Sequence, residues 1–246
     1  MHLKNIGQFE NLKMGYISDF SGGYISRNKD ILNHLELSSL NQFILEKSVY
    51  GTPIFKLGNG GKKILVLSGI HGNELPPQIA NVYLINELLN KKLTNTVYLI
   101  PFAAPKSSMN NERTFNELDL NRASHIKNSV SNLIMQAIEQ LGIVAVGDFH
   151  STSFNSNPGC ESIFSSKSPS PESFLMANYI SRNVGSELIS FDFAGSMYKG
   201  AIEDVCNLNG IPSVTCEVLS PFGNVGRGTV ETSFNQMISF LSYFGI

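Results

Sequence analysis

An imidazole and a carboxylate stand three residues apart, at His71 and Glu74, within Gly69-Ile70-His71-Gly72-Asn73-Glu74. Neutral ring nitrogen plus carboxylate oxygen is good zinc chemistry. One more histidine would complete the two-histidine, one-glutamate set of a catalytic zinc site. That histidine has to come from elsewhere in the chain, and His150 is the best candidate. Asp148, two residues earlier on the same strand-like run, falls on the same side as His150. A carboxylate there can accept the free ring N–H of a ligating imidazole. The competing readings are structural: an acid at a helix N-terminus for Glu74, where the macrodipole favours it, and a strand-end cap for His150. HxxE is also a shorter, less specific pattern than HExxH.

Glu217 lies late in the apolar run 212–218, where a glutamate is seldom buried without a partner. It reads either as a strand-end residue reaching solvent or as a general base. In the second role it would take a proton from a water whose pKa a metal has lowered toward about 7. Arg113, Asn121 and Arg122 fall on a long polar stretch, 101–123, with no helical or strand period. Loops of that length are usually functional or mobile. A solvated loop is the plain reading of its arginines. The chemical reading gives one guanidinium to a developing oxyanion and one to a substrate carboxylate as a bidentate clamp. Other nucleophile signatures are missing: there is no GxSxG elbow, no Cys–His signature and no GxxxxGK[ST] phosphate loop.

The elements that must position these residues follow from the hydrophobic period. Strands are expected over 62–68, 96–100, 143–150, 162–165 and 212–218, and helices over 78–89, 130–141, 172–184, 201–209 and 229–244. Pro76-Pro77 suit a helix's first turn, and Asn209-Gly210 suit a left-handed cap. The stretch 43–57 reads as a strand pair around Gly51-Thr52-Pro53. Residues 1–45 are poorly defined beyond a turn at Gly22-Gly23 and a helical turn near 30–35. Strands alternating with helices imply a largely parallel sheet covered on both faces. Such sheets bind ligands in the crevice outside the carboxyl ends of their strands, where His71, Glu74 and His150 fall. No repeat or linker divides the chain, so one domain over 1–246 is expected.

Composition narrows the function classes. The 246 residues are 42% hydrophobic and 15% charged, which fits a globular chain rather than a disordered one. Net charge is −2 without a basic run, so neither nucleic acid nor an anionic membrane is an expected partner. The start has no secretory h-region, and no apolar run approaches the roughly 20 residues of a membrane span. Cys160, Cys206 and Cys216 are odd in number and lack CxxC spacing, which disfavours disulfides and a thiolate zinc cage. A cytoplasmic protein is the expectation.

Four motifs in order then carry a resemblance: Gly69-Ile70-His71-Gly72-Asn73-Glu74-Leu75, Leu118-Asp119-Leu120-Asn121-Arg122, Asp148-Phe149-His150-Ser151-Thr152 and Val214-Thr215-Cys216-Glu217. The series resembles zinc carboxypeptidase-like hydrolases, and within them the succinylglutamate desuccinylase/aspartoacylase branch, over about residues 50–246. The resemblance implies a three-layer α/β/α fold with a mixed, mostly parallel sheet of about eight strands. It implies one zinc ion held by His71, Glu74 and His150, with Glu217 as general base. Arg122, beside Asn121, would grip the substrate's free carboxylate, and Arg113 would polarise the scissile carbonyl. Arg113 stands one residue further from Asp119 than the branch usually places it.

The chain ends soon after Glu217, so the C-terminal β-rich domain of well-known members is not expected. Gly200-Ala201-Ile202-Glu203 also resembles the carboxypeptidase side of the superfamily, including compact murein-peptide amidases. There Ile202 falls where carboxypeptidases line the pocket for the terminal side chain, and Tyr198 where they carry a mobile tyrosine. The implied activity is hydrolysis of an amide bond next to a free carboxylate, in a small acyl-amino acid or short peptide. An N-acyl-amino-acid deacylase is the leading expectation, with a metallocarboxypeptidase or murein-peptide amidase, and a non-catalytic zinc-binding protein, as alternatives.

Overall fold

The apolar runs 63–68 and 96–100 lie side by side as parallel strands in the computed structural model, which describes residues 3–246. In chain order the strands are β1 (Lys4–Ile6), β2 (Phe9–Ser18), β3 (Thr52–Leu57), β4 (Lys63–Ser68), β5 (Thr96–Ile100), β6 (Ala145–Thr152), β7 (Ser162–Ser168), β8 (Glu187–Phe193) and β9 (Ser213–Leu219). They form a single sheet in the order β1-β2-β3-β5-β4-β6-β9-β7-β8. The centre, β5-β4-β6-β9, is parallel. β1, β2 and β3 extend it antiparallel on one side. On the other, β7 pairs antiparallel with β9 and parallel with β8. The mixed α/β class and a sheet of about eight strands are as expected; among the described residues the sheet has nine.

The helices are α1 (Lys29–Leu32), α2 (Ser39–Ser48), α3 (Leu75–Leu89), α4 (Pro105–Asn110), α5 (Val130–Leu141), α6 (Glu172–Val184), α7 (Ile202–Leu208) and α8 (Thr229–Ser242). Strand alternation divides their cores. Ile64 and Val66 of β4, with Val214 and Cys216 of β9, join the cluster under α3, α6 and α8. Leu65 and Leu67 of β4, with Val146 of β6, join the cluster formed with Ile134 and Ile138 of α5 and with Ile202 and Cys206 of α7. The result is a sheet between two helical layers. α3 enters through Pro76-Pro77, whose missing N–H groups would be unpaired in a first turn anyway. α5 is capped by the Ser129 side chain, which accepts from the Asn132 N–H at 3.0 Å, and it closes on Gly142 at φ 66°.

Two expectations are corrected. Residues 43–48 are not the first half of a strand pair; they belong to α2, opened by Ser38 accepting from the Asn41 N–H at 3.1 Å. Alternation in Phe43-Ile44-Leu45 is too short to outweigh that cap. Residues 1–45, poorly defined in the sequence reading, supply β1 and β2 at the sheet edge; of them, Met1 and His2 lie outside the described residues. No helix among the described residues is long and apolar enough to cross a membrane.

Candidate active site

Four separate segments converge at the carboxyl ends of the central strands. β4 delivers His71 and Glu74 through a tight turn that passes close to α4. A Cβ on Gly72 would lie 2.2 Å from the Ser107 carbonyl carbon, so only glycine fits there. β6 delivers Asp148 and His150, and β9 delivers Glu217. β6 and β9 are parallel and in register, with His150 opposite Glu217 and Asp148 opposite Thr215. Neighbouring strands are about 4.8 Å apart, so the histidine and the glutamate stand side by side on the α7 face of the sheet. The polar loop after α4 completes the wall with Arg113, Asn121 and Arg122.

His71, Glu74 and His150 are each at most 3% exposed. One potential ligand atom from each lies within 4.8 Å of the others. His71 Nδ1 lies 2.8 Å from Glu74 Oε1, and His150 Nδ1 lies 2.8 Å from Glu74 Oε2. Both imidazoles therefore turn the same nitrogen toward the shared carboxylate. Their remaining nitrogens face carboxylates: His71 Nε2 lies 2.9 Å from Asp119 Oδ1, and His150 Nε2 lies 3.1 Å from Asp148 Oδ2. The second contact is off the hydrogen-bond direction, and both atoms are otherwise unpartnered. Asp148 thus stands where the sequence places it, behind His150. Asp119 has the equivalent position behind His71, a role the sequence reading left unassigned within Leu118-Asp119-Leu120-Asn121-Arg122.

The electrostatics follow from that packing. Burial alone would raise the Glu74 carboxyl, but His71 and His150 outweigh it and hold it well below its ordinary range. Burial would likewise lower His150, yet Asp148 and Glu74 raise it well above an ordinary imidazole. Asp119 is held down to about 2, because the hydrogen bond from His71 and the charges of His71 and Arg113 overcome its burial. Glu217 behaves oppositely. Burial, then repulsion from Glu74, pushes its carboxyl up to about 8. Its Oε2 is shielded and makes no hydrogen bond. Two imidazoles and a carboxylate, buried and aimed at one point with carboxylates behind the rings, fit a divalent metal of the zinc type.

A cavity of about 290 Å³ opens on this cluster, and Glu217, both arginines, Asn121 and Tyr198 all line it. Arg113 Nη1 lies 3.2 Å from Glu74 Oε1, and its Nη2 lies 3.7 Å from Asp119 Oδ2. Arg122 sits over the Tyr198 ring at 5.1 Å and donates to the Asn121 carbonyl at 2.6 Å. Tyr198 is itself packed edge-on against Phe164 and Phe191 at 5.6 and 5.8 Å. Gly200, at φ 89°, lets that segment turn beneath Arg122; a Cβ there would lie 2.5 Å from the Arg122 carbonyl oxygen. Ile202 does not reach the cavity. It is fully buried in the core with Cys206, and its neighbours Ala201 and Glu203 line the wall instead. A register count from Glu217 cannot tell which of two successive helix-start residues turns inward. Phe164, Thr215 and Phe222 also line the cavity. Their types carry no chemical signal in the sequence.

Residues 60–157 match the family model of the succinylglutamate desuccinylase/aspartoacylase catalytic domain, which bears out the resemblance read from the motifs. No curated protein matches the chain by sequence. Among solved structures, an aspartoacylase family protein from Mesorhizobium loti is similar at TM-score 0.66 and 18% identity, over 100% of this chain and 70% of that one. A metallo-carboxypeptidase from Burkholderia cenocepacia is similar at TM-score 0.63 and 11% identity, over 97% of this chain and 66% of that one. A succinylglutamate desuccinylase from Silicibacter sp. is similar at TM-score 0.61 and 19% identity, over 81% of this chain and 63% of that one. The chain therefore spans about two thirds of the length of these proteins. The fold is the carboxypeptidase-like one, and the family match and the fold suggest a zinc-type hydrolase.

Proposed function

We propose that this protein is a zinc-dependent hydrolase that cleaves an amide bond next to a free carboxylate, as an N-acyl-amino-acid deacylase. The reading is carried by one observation: His71 and Glu74, which cluster with His150, line the same small cavity as the raised carboxyl of Glu217. His71, Glu74 and His150 would hold the ion. When bound, it supplies Lewis acidity that polarises a carbonyl and brings the pKa of a water toward about 7.

The chain's own residues do the rest. Asp119 and Asp148 fix the two imidazoles with Nδ1 facing inward. Glu217 takes the proton from the attacking water and returns it to the leaving amine nitrogen. A carboxyl pushed up to about 8 is well matched to proton transfer near neutral pH. Arg122, steadied by the Tyr198 ring, offers its guanidinium to the substrate carboxylate. Arg113, part-exposed at the cavity rim, is the donor for the developing oxyanion, a role worth roughly 3–4 kcal/mol in other hydrolases. A cavity of about 290 Å³ suits a small substrate.

The test is turnover by zinc-loaded protein on N-acetyl and N-succinyl amino acids, set against short peptides that include cell-wall peptides. Preferential release of acid from the acyl-amino acids is expected. Preferential cleavage of the peptides would replace the deacylase reading with a peptidase one. Full metal occupancy without turnover on either panel would remove the hydrolase reading.

A further inference from the structure

The sheet keeps one long edge open. β8 pairs with β7 on one side, and among the described residues no strand pairs with its other side. An open strand edge is a row of unpaired donors and acceptors, ready to template another strand, and proteins usually blunt it with proline, lysine or extreme shortness. The far edge of this sheet follows that rule: β1 is three residues long and opens on Lys4. β8 does not. Glu187-Leu188-Ile189-Ser190-Phe191-Asp192-Phe193 has no proline and no lysine. Seven residues of strand reach about 23 Å.

Backbone and side chains of β8 both suit a partner. The Glu187 N–H donates inward, to the Glu161 carbonyl at 3.0 Å. The direction of these groups alternates along a strand, so those of Leu188 and Ser190 point away from β7. Alternation also puts Ile189, Phe191 and Phe193 on one face. It is the cavity face, because Phe191 stacks on Phe164 at 6.2 Å and meets Tyr198 edge-on at 5.8 Å. Phe193 is 67% exposed, and Met197 and Leu208 are 57% and 53% exposed. A Cβ on Gly195 would lie 3.5 Å from Leu208 Cδ1, so the end of α7 and the segment after β8 form one apolar patch. Contiguous apolar surface beside an open edge marks an interaction site. The charge of Asp192 is already met by Lys167 of β7 at 3.0 Å.

We propose that this edge is a dimer interface, occupied by β8 of a second copy of this chain running antiparallel. The two-fold axis passes through Ser190, the strand's midpoint, so that all seven residues find a partner. Ser190 then faces the partner's Ser190 as a hydrogen-bonded pair, which its outward backbone groups allow. Ile189 faces the partner's Phe191, and symmetry repeats the contact; aromatic and β-branched residues pair well across strands. Phe193 falls opposite the partner's Glu187 and diagonal to the partner's Ile189. Asp192 falls opposite the partner's Leu188, so no like charges are opposed. This self-complementarity is what favours a second copy over an unrelated strand, and such an isologous contact closes at two copies. The proposal does not depend on the hydrolase reading.

Sedimentation velocity of the wild-type protein, from low to high micromolar concentration, tests it. A reversible species of twice the mass of one chain is expected. Ser190→Pro removes an N–H that β7 does not use, and Phe193→Lys sets a charge on the exposed edge. Both variants should sediment as monomers with an unchanged circular dichroism spectrum. Hydrogen exchange on the wild-type protein decides the matter should either variant misfold. The Leu188 and Ser190 amides should be protected in the dimer and exchange at least tenfold faster on dilution to monomer. A wild-type protein that is monomeric throughout the range would overturn the proposal. So would a dimer that survives in both folded variants, or one in which those two amides exchange as freely as in the monomer, because its interface then lies elsewhere.

Discussion

Glu217 and Asp119 carry carboxyls in the same cavity region with opposite electrostatics, and that contrast sorts their roles. Burial and the repulsion of Glu74 outweigh His150 and Arg113 at Glu217 and push it up to about 8, whereas Asp119 accepts from His71 and is held down to about 2. Glu217→Gln should therefore keep metal stoichiometry while losing roughly 10²–10⁴-fold in turnover, the usual worth of a general base. Elemental analysis beside a steady-state assay checks both halves, and retained turnover would remove Glu217 from the chemistry. Asp119→Asn should weaken metal binding by about 10–100-fold, because the amide no longer favours the tautomer that turns Nδ1 inward. A competition titration with a chelating dye reads this directly. His150→Ala should lower metal content outright; an unchanged stoichiometry would take that residue out of the ligand set.

Elements with strong periodicity or clear punctuation were legible in the sequence. α5 begins and ends where Ser129 and Gly142 place it, and β4 and β5 follow their continuous apolar runs. β8 was not legible, because Glu187–Phe193 is a partly exposed strand next to a glycine, without clean alternation. The loop over 101–123 concealed α4, a six-residue helix whose Pro105-Lys106-Ser107-Ser108 start has no apolar face to read. At the site, the convergence of His71, Glu74, His150, Glu217 and Arg122 on one region was legible because their types are scarce and chemically pointed. Glu203 was not, since an acid at a helix start is also what the macrodipole favours. α3 is apolar nearly all round, which reflects its burial between the sheet and α8. Ile79→Ala, at a fully buried position of α3, should cost about 2–5 kcal/mol in chemical denaturation. A cost below 1 kcal/mol would mean that the helix layer relaxes around the void.

Across the whole molecule, the buried charge at the cavity sets how stability depends on pH. Glu217 and His150 both have folded pKa values raised above their ordinary ones of 4.5 and 6.5. The folded state then binds more protons than the unfolded state, so stability falls as pH rises. The Glu217 contribution is complete below 4.5 and lost through about 8. Glu74, held low, acts in the opposite sense and loses its contribution only as pH falls below its ordinary range. The melting temperature of chelator-treated protein should therefore drop between pH 6 and pH 9, a range chosen to bracket the upper limb. A flat profile would show that these groups are better solvated than their burial implies. Zinc at 100 times its dissociation constant should add about 2.7 kcal/mol by mass action, read as a rise in melting temperature.

The opposition of His150 and Glu217 on adjacent parallel strands has a consequence for how this scaffold tolerates change. Their separation is a property of the backbone ladder, so lengthening the rim segments around 153–159 or 194–200 would leave the spacing between the two side chains untouched. Removing a single residue within β9 would do the reverse. It would swing Glu217 through the sheet into the apolar layer beneath α8 and bring a neighbour, Cys216 or Val218, into its place. Variation is cheap at the rim and prohibitive in the ladder, so new selectivity in relatives of this chain would come from the loops.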